Sequence, residues 1–224
     1  MPLLDTLLSA IAPHNCLACG AEGKLVCDWC LPDVFPELPS RCFRCRRITT
    51  NFAVCDRCKK QTRIGHVWIR TDYDGHAKTL LHRYKYERAQ AAVQVIAEAM
   101  DEVLPYLPLA SLVIPVPTAT SRVRARGYDH AALLARAIAR KRGLMSVRAV
   151  THLLQTRQVG ANRQKRLAQL KNTFVVTKPR LVKGRDILIV DDVVTTGSTL
   201  EAMTLALKQA GAKSVAAVAF AQKQ

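Results

Sequence analysis

Ile187-Leu188-Ile189-Val190-Asp191-Asp192-Val193-Val194-Thr195-Thr196-Gly197-Ser198-Thr199 leaves less local freedom than any other stretch of this 224-residue chain. Its four leading apolar residues, mostly β-branched, read as a short strand buried on both faces. Leu200 to Lys208 has helical spacing, and Gly211 lies just beyond the last turn as a stop. A helix start presents free backbone N–H groups and the positive end of its dipole, so an anion fits there. Thr195, Thr196, Ser198 and Thr199 can add hydroxyl hydrogen bonds, and Gly197 lets the backbone close around a ligand. Asp191 and Asp192 repel phosphate but suit hydroxyl donors or a metal. A phosphate beside a vicinal diol is a sugar phosphate. The plain alternative is a buried strand with a polar turn. A nucleotide triphosphatase, whose metal-binding aspartate also follows an apolar strand, needs a G-x-x-x-x-G-K-[ST] loop that the chain lacks.

All eight cysteines fall within residues 16 to 58, as four C-x-x-C pairs: Cys16/Cys19, Cys27/Cys30, Cys42/Cys45 and Cys55/Cys58. Each pair makes a tight knuckle that aims two sulfurs at one metal, and four knuckles make two tetrahedral sites. Short gaps within successive couples favour Cys16, Cys19, Cys27 and Cys30 on one zinc, with Cys42, Cys45, Cys55 and Cys58 on the other. Interleaved pairing stays open. Disulfides would need an oxidising compartment, and no export signal is visible. Closed four-thiolate sites are structural, and in so small a module the metal supplies folding energy.

Lys and Arg outnumber Asp and Glu by 34 to 17, a net charge of +17. Two zinc tetrathiolates lower this to about +13. The surplus favours nucleic acid, phosphorylated metabolites or acidic lipid as partners. No apolar run is long enough for a membrane span. Residues 1–12 read as a packing helix, and the cytoplasm is the expected compartment.

Val67 to Tyr73 has strand character, Ala77 to Tyr84 and Gln90 to Leu104 have helical period, and Ser111 to Pro117 is a strand running into a loop. Ala131 to Lys141 is a helix with Asp129 as its candidate N-cap and Gly143 as its stop. Ser214 to Phe220 is a final strand. The expected architecture is α/β, a mostly parallel sheet flanked by helices with its ligand at the carboxyl ends of the strands. A small double zinc ribbon precedes it, dividing the chain into 1–61 and 62–224. Between Ser121 and Lys171 stand thirteen Lys and Arg against one acid, net +12. That folded basic face suits a departing pyrophosphate or single-stranded DNA, with Tyr84, Tyr86, Tyr128 and Trp68 as the few stacking candidates. The second ribbon is also basic: Arg41, Arg44, Arg46, Arg47, Arg57, Lys59 and Lys60 form either a ligand face or plain solvated charge.

The stretch at 187–199 resembles the phosphoribosyl pyrophosphate (PRPP) signature of type I phosphoribosyltransferases. That resemblance implies that Asp191 and Asp192 bind the ribose hydroxyls, while Val194, Thr195, Thr196, Gly197, Ser198 and Thr199 wrap the 5′-phosphate. Over nearly its whole length the chain resembles the ComF competence proteins. The resemblance rests on the four knuckles, Leu81 to Tyr86 around Lys85, Ile114-Pro115-Val116-Pro117 leading to Arg126-Gly127-Tyr128, and Arg166 with Asn172-Thr173-Phe174. Asp129-His130 stands where the family has Asn-Gln, and Gln169 where it favours Asn.

The resemblance implies a cytoplasmic role in natural transformation, with PRPP, Mg²⁺ and single-stranded DNA as ligands. A helicase or the DNA-uptake machinery at the membrane is a further possible partner. The alternative is an active phosphoribosyltransferase that moves ribose 5-phosphate from PRPP to an unidentified acceptor. In that case Arg122, Arg124 and Arg126, with Lys85, hold the pyrophosphate, and Asp191 or Asp192 is the available catalytic group. Candidates for DNA contact are Arg136, Arg140, Lys141, Arg142, Arg163, Lys165 and Arg166.

Overall fold

The computed structural model describes residues 14–86, 90–119, 123–124, 127–152 and 173–223. The helix expected over residues 1–12 lies outside them. So do Arg122, Arg126, Arg163, Lys165, Arg166 and Gln169.

The first ribbon opens with β1 (His14–Asn15), paired antiparallel with β2 (Glu22–Gly23), and ends in α1 (Leu31–Val34). The second carries α2 (Asp56–Lys59) at its last knuckle. There follow β3 (Val67–Asp72), α3 (Gly75–Tyr86), α4 (Gln90–Glu102), β4 (Leu112–Pro115), α5 (His130–Lys141) and β5 (Met145–Ser146). After them come β6 (Val150–His152), β7 (Phe174–Val176), α6 (Pro179–Val182), β8 (Asp186–Val194), α7 (Ser198–Gln209) and β9 (Ser214–Gln222).

β3, β9, β8, β4 and β5 lie side by side in that order, every neighbouring pair parallel. Parallel strands need crossover connections, and these cover both faces of the sheet. Alternation along the central β8 feeds two cores. Leu188 and Val190 join Tyr84, Ile96, Met100, Leu134 and Ile138 on one side. Ile187 and Ile189 join Ile114, Met203 and Leu207 on the other. β6 and β7 form a separate antiparallel pair beside the sheet.

The strand over the two acids is longer than its apolar run. β8 continues to Val194 because its ladder with β9 does: Asp191 faces Ala219, Val193 faces Ala221 and Val194 faces Gln222. Alanines along β9 keep that approach open, so backbone pairing carries the strand past the point where hydrophobic burial ends.

Among the described residues the ribbons have no core of their own. Leu25, Val26, Val34 and Phe35 of the first belong to the core under α3, α4 and α5, where the Phe35 and Phe220 rings meet edge-on at 5.0 Å. Cys42, Phe43, Val54 and Cys58 of the second belong to the core under α7. The two ribbons therefore cap opposite faces of one sheet.

Candidate ligand site and cysteine clusters

The site forms at the carboxyl end of the central strands. Pro115 of β4 pairs with Val190 of β8, and the Val116 N–H donates to the Val190 carbonyl at 2.9 Å, so the loop after β4 lies beside Asp191 and Asp192. This is where ligands sit in open parallel sheets. Asp192 faces α3, whose Lys85 ammonium lies 2.5 Å from its carboxylate. The Asp192 N–H donates to the Asp191 carboxylate at 2.8 Å. Burial drives the Asp191 carboxyl up to about 8, and the Asp192 charge adds to that rise; the nearby Lys85 charge works against it. Lys85 thus sits beside Asp192 and balances its charge.

Beyond β8 the chain turns through Gly197, whose φ of +77° is a left-handed conformation that suits glycine. Thr195, Thr196, Ser198 and Thr199 are exposed around the buried Gly197. The Thr196 hydroxyl donates to Ser198 Oγ at 3.0 Å and accepts weakly from the Ser198 N–H. Gly197 gives α7 no side-chain cap, so the first turn of the helix keeps backbone N–H groups for an anion.

Across the loop after β4, Arg124 is described and exposed. Asp129 caps α5, accepting from the Ala132 N–H at 3.2 Å and from the Thr118 hydroxyl at 3.0 Å, with Arg148 3.4 Å away. Its charge is therefore committed to the protein. A cleft of about 290 Å³ opens here, lined among others by Pro117, Thr118, Asp129, Arg148 and His152. Arg148 and His152 reach it from a separate segment, so no spacing in the sequence pointed to them.

The stacking candidates fare unevenly. Tyr84 is fully buried and donates to the His130 carbonyl at 2.7 Å, and the Tyr128 hydroxyl donates to the Tyr84 carbonyl. Trp68 is buried against His66, its Nε1–H donating to Asn51 at 2.9 Å. Tyr84 and Trp68 thus pack the fold and offer no platform to a base, while Tyr128 is half-buried. Tyr86 is exposed.

The basic helix divides likewise. The Arg142 guanidinium turns inward, donating to the Asp101 carboxylate and, at 2.8 and 3.0 Å, to the Asp101 and Leu104 carbonyls at the end of α4. Lys141 joins it, 3.0 Å from Asp101. Burial would raise the Asp101 carboxyl, but the two cations outweigh it and hold it below the usual range. Arg142 therefore clamps the start of the turn after α5 to the end of α4. Arg136 and Arg140 are exposed one helical turn apart on α5.

The eight thiols gather as Cys16, Cys19, Cys27 and Cys30, and as Cys42, Cys45, Cys55 and Cys58, with the sulfurs of each set within 4.8 Å of one another. This is the sequential pairing, not the interleaved one. Tetrahedral zinc with bonds of about 2.3 Å places its sulfurs roughly 3.8 Å apart. Cys19 and Cys27 stand at 3.7 Å, and Cys45 and Cys55 at 3.5 Å, far beyond disulfide bonding. Without a cation the thiols cannot ionise together. Burial opposes ionisation of Cys42, yet backbone N–H groups draw it down to about 7, while burial and neighbouring sulfurs push Cys58 to about 12. Both sets can hold zinc.

Among the described residues no helix is long and apolar enough to cross a membrane. The parallel sheet, the diacid on its central strand and the hydroxyl-rich turn into α7 together define a phosphoribosyltransferase-type domain. The phosphoribosyl transferase domain family matches residues 124–224. The DNA utilization protein YhgH of Shigella flexneri is 30% identical over 205 residues, covering 78% of this chain and 86% of the relative. YhgH of Salmonella typhi is 29% identical over 205 residues, covering 85% and 81% respectively. Competence protein F of Haemophilus influenzae is 28% identical over 176 residues, covering 72% and 75%. The chain belongs to the ComF family.

Proposed function

We propose that this protein binds a ribose 5-phosphate ligand, PRPP foremost, and works in the cytoplasm on single-stranded DNA during its uptake. One observation carries the ligand reading: two acids at the carboxyl end of the central strand stand directly before the uncapped start of α7. The α7 N–H groups and the hydroxyls of Thr195, Thr196, Ser198 and Thr199 hold the 5′-phosphate, and Asp191 and Asp192 accept from the ribose hydroxyls. Mg²⁺ would arrive with the pyrophosphate and neutralise it, and the carboxylate oxygens nearby are donors of the hard type it takes. Residues 1–61 serve as the double zinc ribbon and 62–224 as the ligand-binding domain.

The names of the relatives support the DNA part of this reading, as do Arg136 and Arg140 exposed on α5. The match to the transferase domain supports the second reading, transfer of ribose 5-phosphate to an acceptor. In that reaction Arg124, with Arg122 and Arg126, stabilises the departing pyrophosphate.

Calorimetry with PRPP and with ribose 5-phosphate in millimolar Mg²⁺ tests the ligand reading. Asp191→Ala and Asp192→Ala should each weaken binding by about 10- to 100-fold, the worth of a hydrogen bond to a charged group. No heat from the wild type with either compound rejects the reading. Pyrophosphate release with candidate acceptors then separates an enzyme from a sensor.

Arg140 and Arg142 allow a paired test on α5. Arg142→Ala should cost roughly 2–4 kcal/mol in urea unfolding, because it strands Asp101 and the end of α4. Since Asp101 titrates below its unfolded value, that stabilisation is present at neutral pH and is lost as acid protonates Asp101. Arg140→Ala should leave stability alone and lower the salt dependence of single-strand binding by about 0.7 in log–log slope. Equal effects of the two changes on the slope would contradict the assignment.

A further inference from the structure

One contact at the ligand loop comes from outside the domain that the signature defines. Gly197 is buried because the Phe43 ring of the second ribbon lies against it. A Cβ built on Gly197 would fall inside that ring's van der Waals envelope. Phe43 is itself 3% exposed and sits in the Cys42–Cys45 knuckle, between two ligands of one cysteine cluster.

Further links tie the same knuckle to the same loop. The Phe43 carbonyl accepts from Gln222 Nε2 at 2.8 Å, and Gln222 pairs with Val194 at the end of β8. The Arg46 guanidinium donates to the Lys223 carbonyl at 3.1 Å, and the Lys223 N–H donates to the Val194 carbonyl at 2.8 Å. Arg44 pairs with Glu201 in the first turn of α7 and donates to Gln61 at 2.9 Å. Residues on both sides of Gly197 are therefore held by one metal knuckle. The first ribbon packs into the opposite core.

We propose that the second ribbon is the back wall of the phosphate loop, so that metal held by Cys42, Cys45, Cys55 and Cys58 fixes the loop's shape and couples to ligand affinity. This rests on the reading of Thr195–Thr199 as a phosphate cradle. Gly197 is needed twice over, for its left-handed turn and for room to accept the ring. Phe43 is a positioning residue, because its ring is on the buried side of the turn while the hydroxyls face outward. By reciprocity, a ligand that the ordered loop prefers must also tighten metal binding at this cluster.

The test uses the full zinc-loaded chain, with wild type, Phe43→Ala, Phe43→Leu and Trp29→Ala compared. Trp29 is an exposed aromatic on the other ribbon and serves as the control. Amide hydrogen exchange over residues 194–201, measured without ligand, should speed up in Phe43→Ala and less in Phe43→Leu, and stay unchanged in Trp29→Ala. Affinity for ribose 5-phosphate should fall about tenfold in Phe43→Ala, within the usual range of coupling between sites. At equilibrium, saturating ribose 5-phosphate should raise the concentration of chromogenic chelator needed to remove half the zinc from one of the two clusters only. Should Phe43→Ala fail to fold, Phe43→Leu decides the exchange result. Loop exchange unaltered in the folded Phe43 variants overturns the proposal. That measurement needs no ligand, so a wild type that ignores ribose phosphates rejects the functional reading and leaves the clamp to be judged by exchange alone.

Discussion

Stripping zinc from this chain is expected to lower its melting temperature by more than about 10 °C, a larger effect than any single substitution on the surface. A structural zinc contributes on the order of 10 kcal/mol to the folding of a small ribbon, comparable with the whole stability of a typical domain. Had the ribbons been an appendage on a linker, that loss would stay local. They are not. Phe35 and Phe43 sit in the two cores on opposite faces of the sheet, and the Gln222 amide at the end of β9 donates to the ribbon's Phe43 carbonyl. Metal removal therefore uncovers apolar surface of the main domain on both sides. Loss of even 5 kcal/mol, at about 2–4 °C per kcal/mol for a chain of this size, lowers the midpoint by roughly 10–20 °C. Elemental analysis should find two zinc ions per chain, one for each cysteine cluster. A chelated, zinc-free protein that melts where the loaded one does would show that packing alone holds the ribbons.

Much of this arrangement was legible in the residues, and the rest had identifiable reasons not to be. The two-residue gaps fix each knuckle locally, and the short spacing between successive knuckles favoured the sequential sets without excluding interleaved ones. The apolar run, the diacid and Gly197 gave strand, site and turn for the same local reason. β8 ends beyond its apolar run because backbone pairing to β9 outlasts side-chain burial, and pairing is a property of two segments. Tyr84 and Trp68 looked available to a base because composition does not reveal which aromatic faces inward. Arg142 looked like part of a cationic surface, yet its partners lie at the end of α4, some forty residues earlier. The Phe43–Gly197 contact spans the two halves of the chain, and no motif in either half implied it.

Affinity for ribose 5-phosphate should climb by about tenfold per pH unit from pH 6 and level off near the Asp191 value of about 8. Burial is the main reason that this carboxyl keeps its proton, and the Asp192 charge beside it is the second. Ribose hydroxyls donate most strongly to an ionised acceptor, so below that pH each binding event must expel the Asp191 proton. Calorimetry at pH 7 in buffers of different ionisation enthalpy should register the release. The phosphate's own second ionisation, near pH 6, works in the same direction but is complete across most of the upper window. Asp191→Asn should therefore flatten the profile between pH 6 and 8. Stability of the ligand-free protein should run the opposite way. The folded carboxyl holds a proton that the unfolded chain has shed, so stability declines as pH rises from about 4 towards 8, and Asp191→Asn should remove that decline. Lys85 supplies the last check, since its charge acts to lower Asp191. Lys85→Met should move the plateau to higher pH, and a plateau that stays put or moves down would show that Asp191 is not the group being titrated.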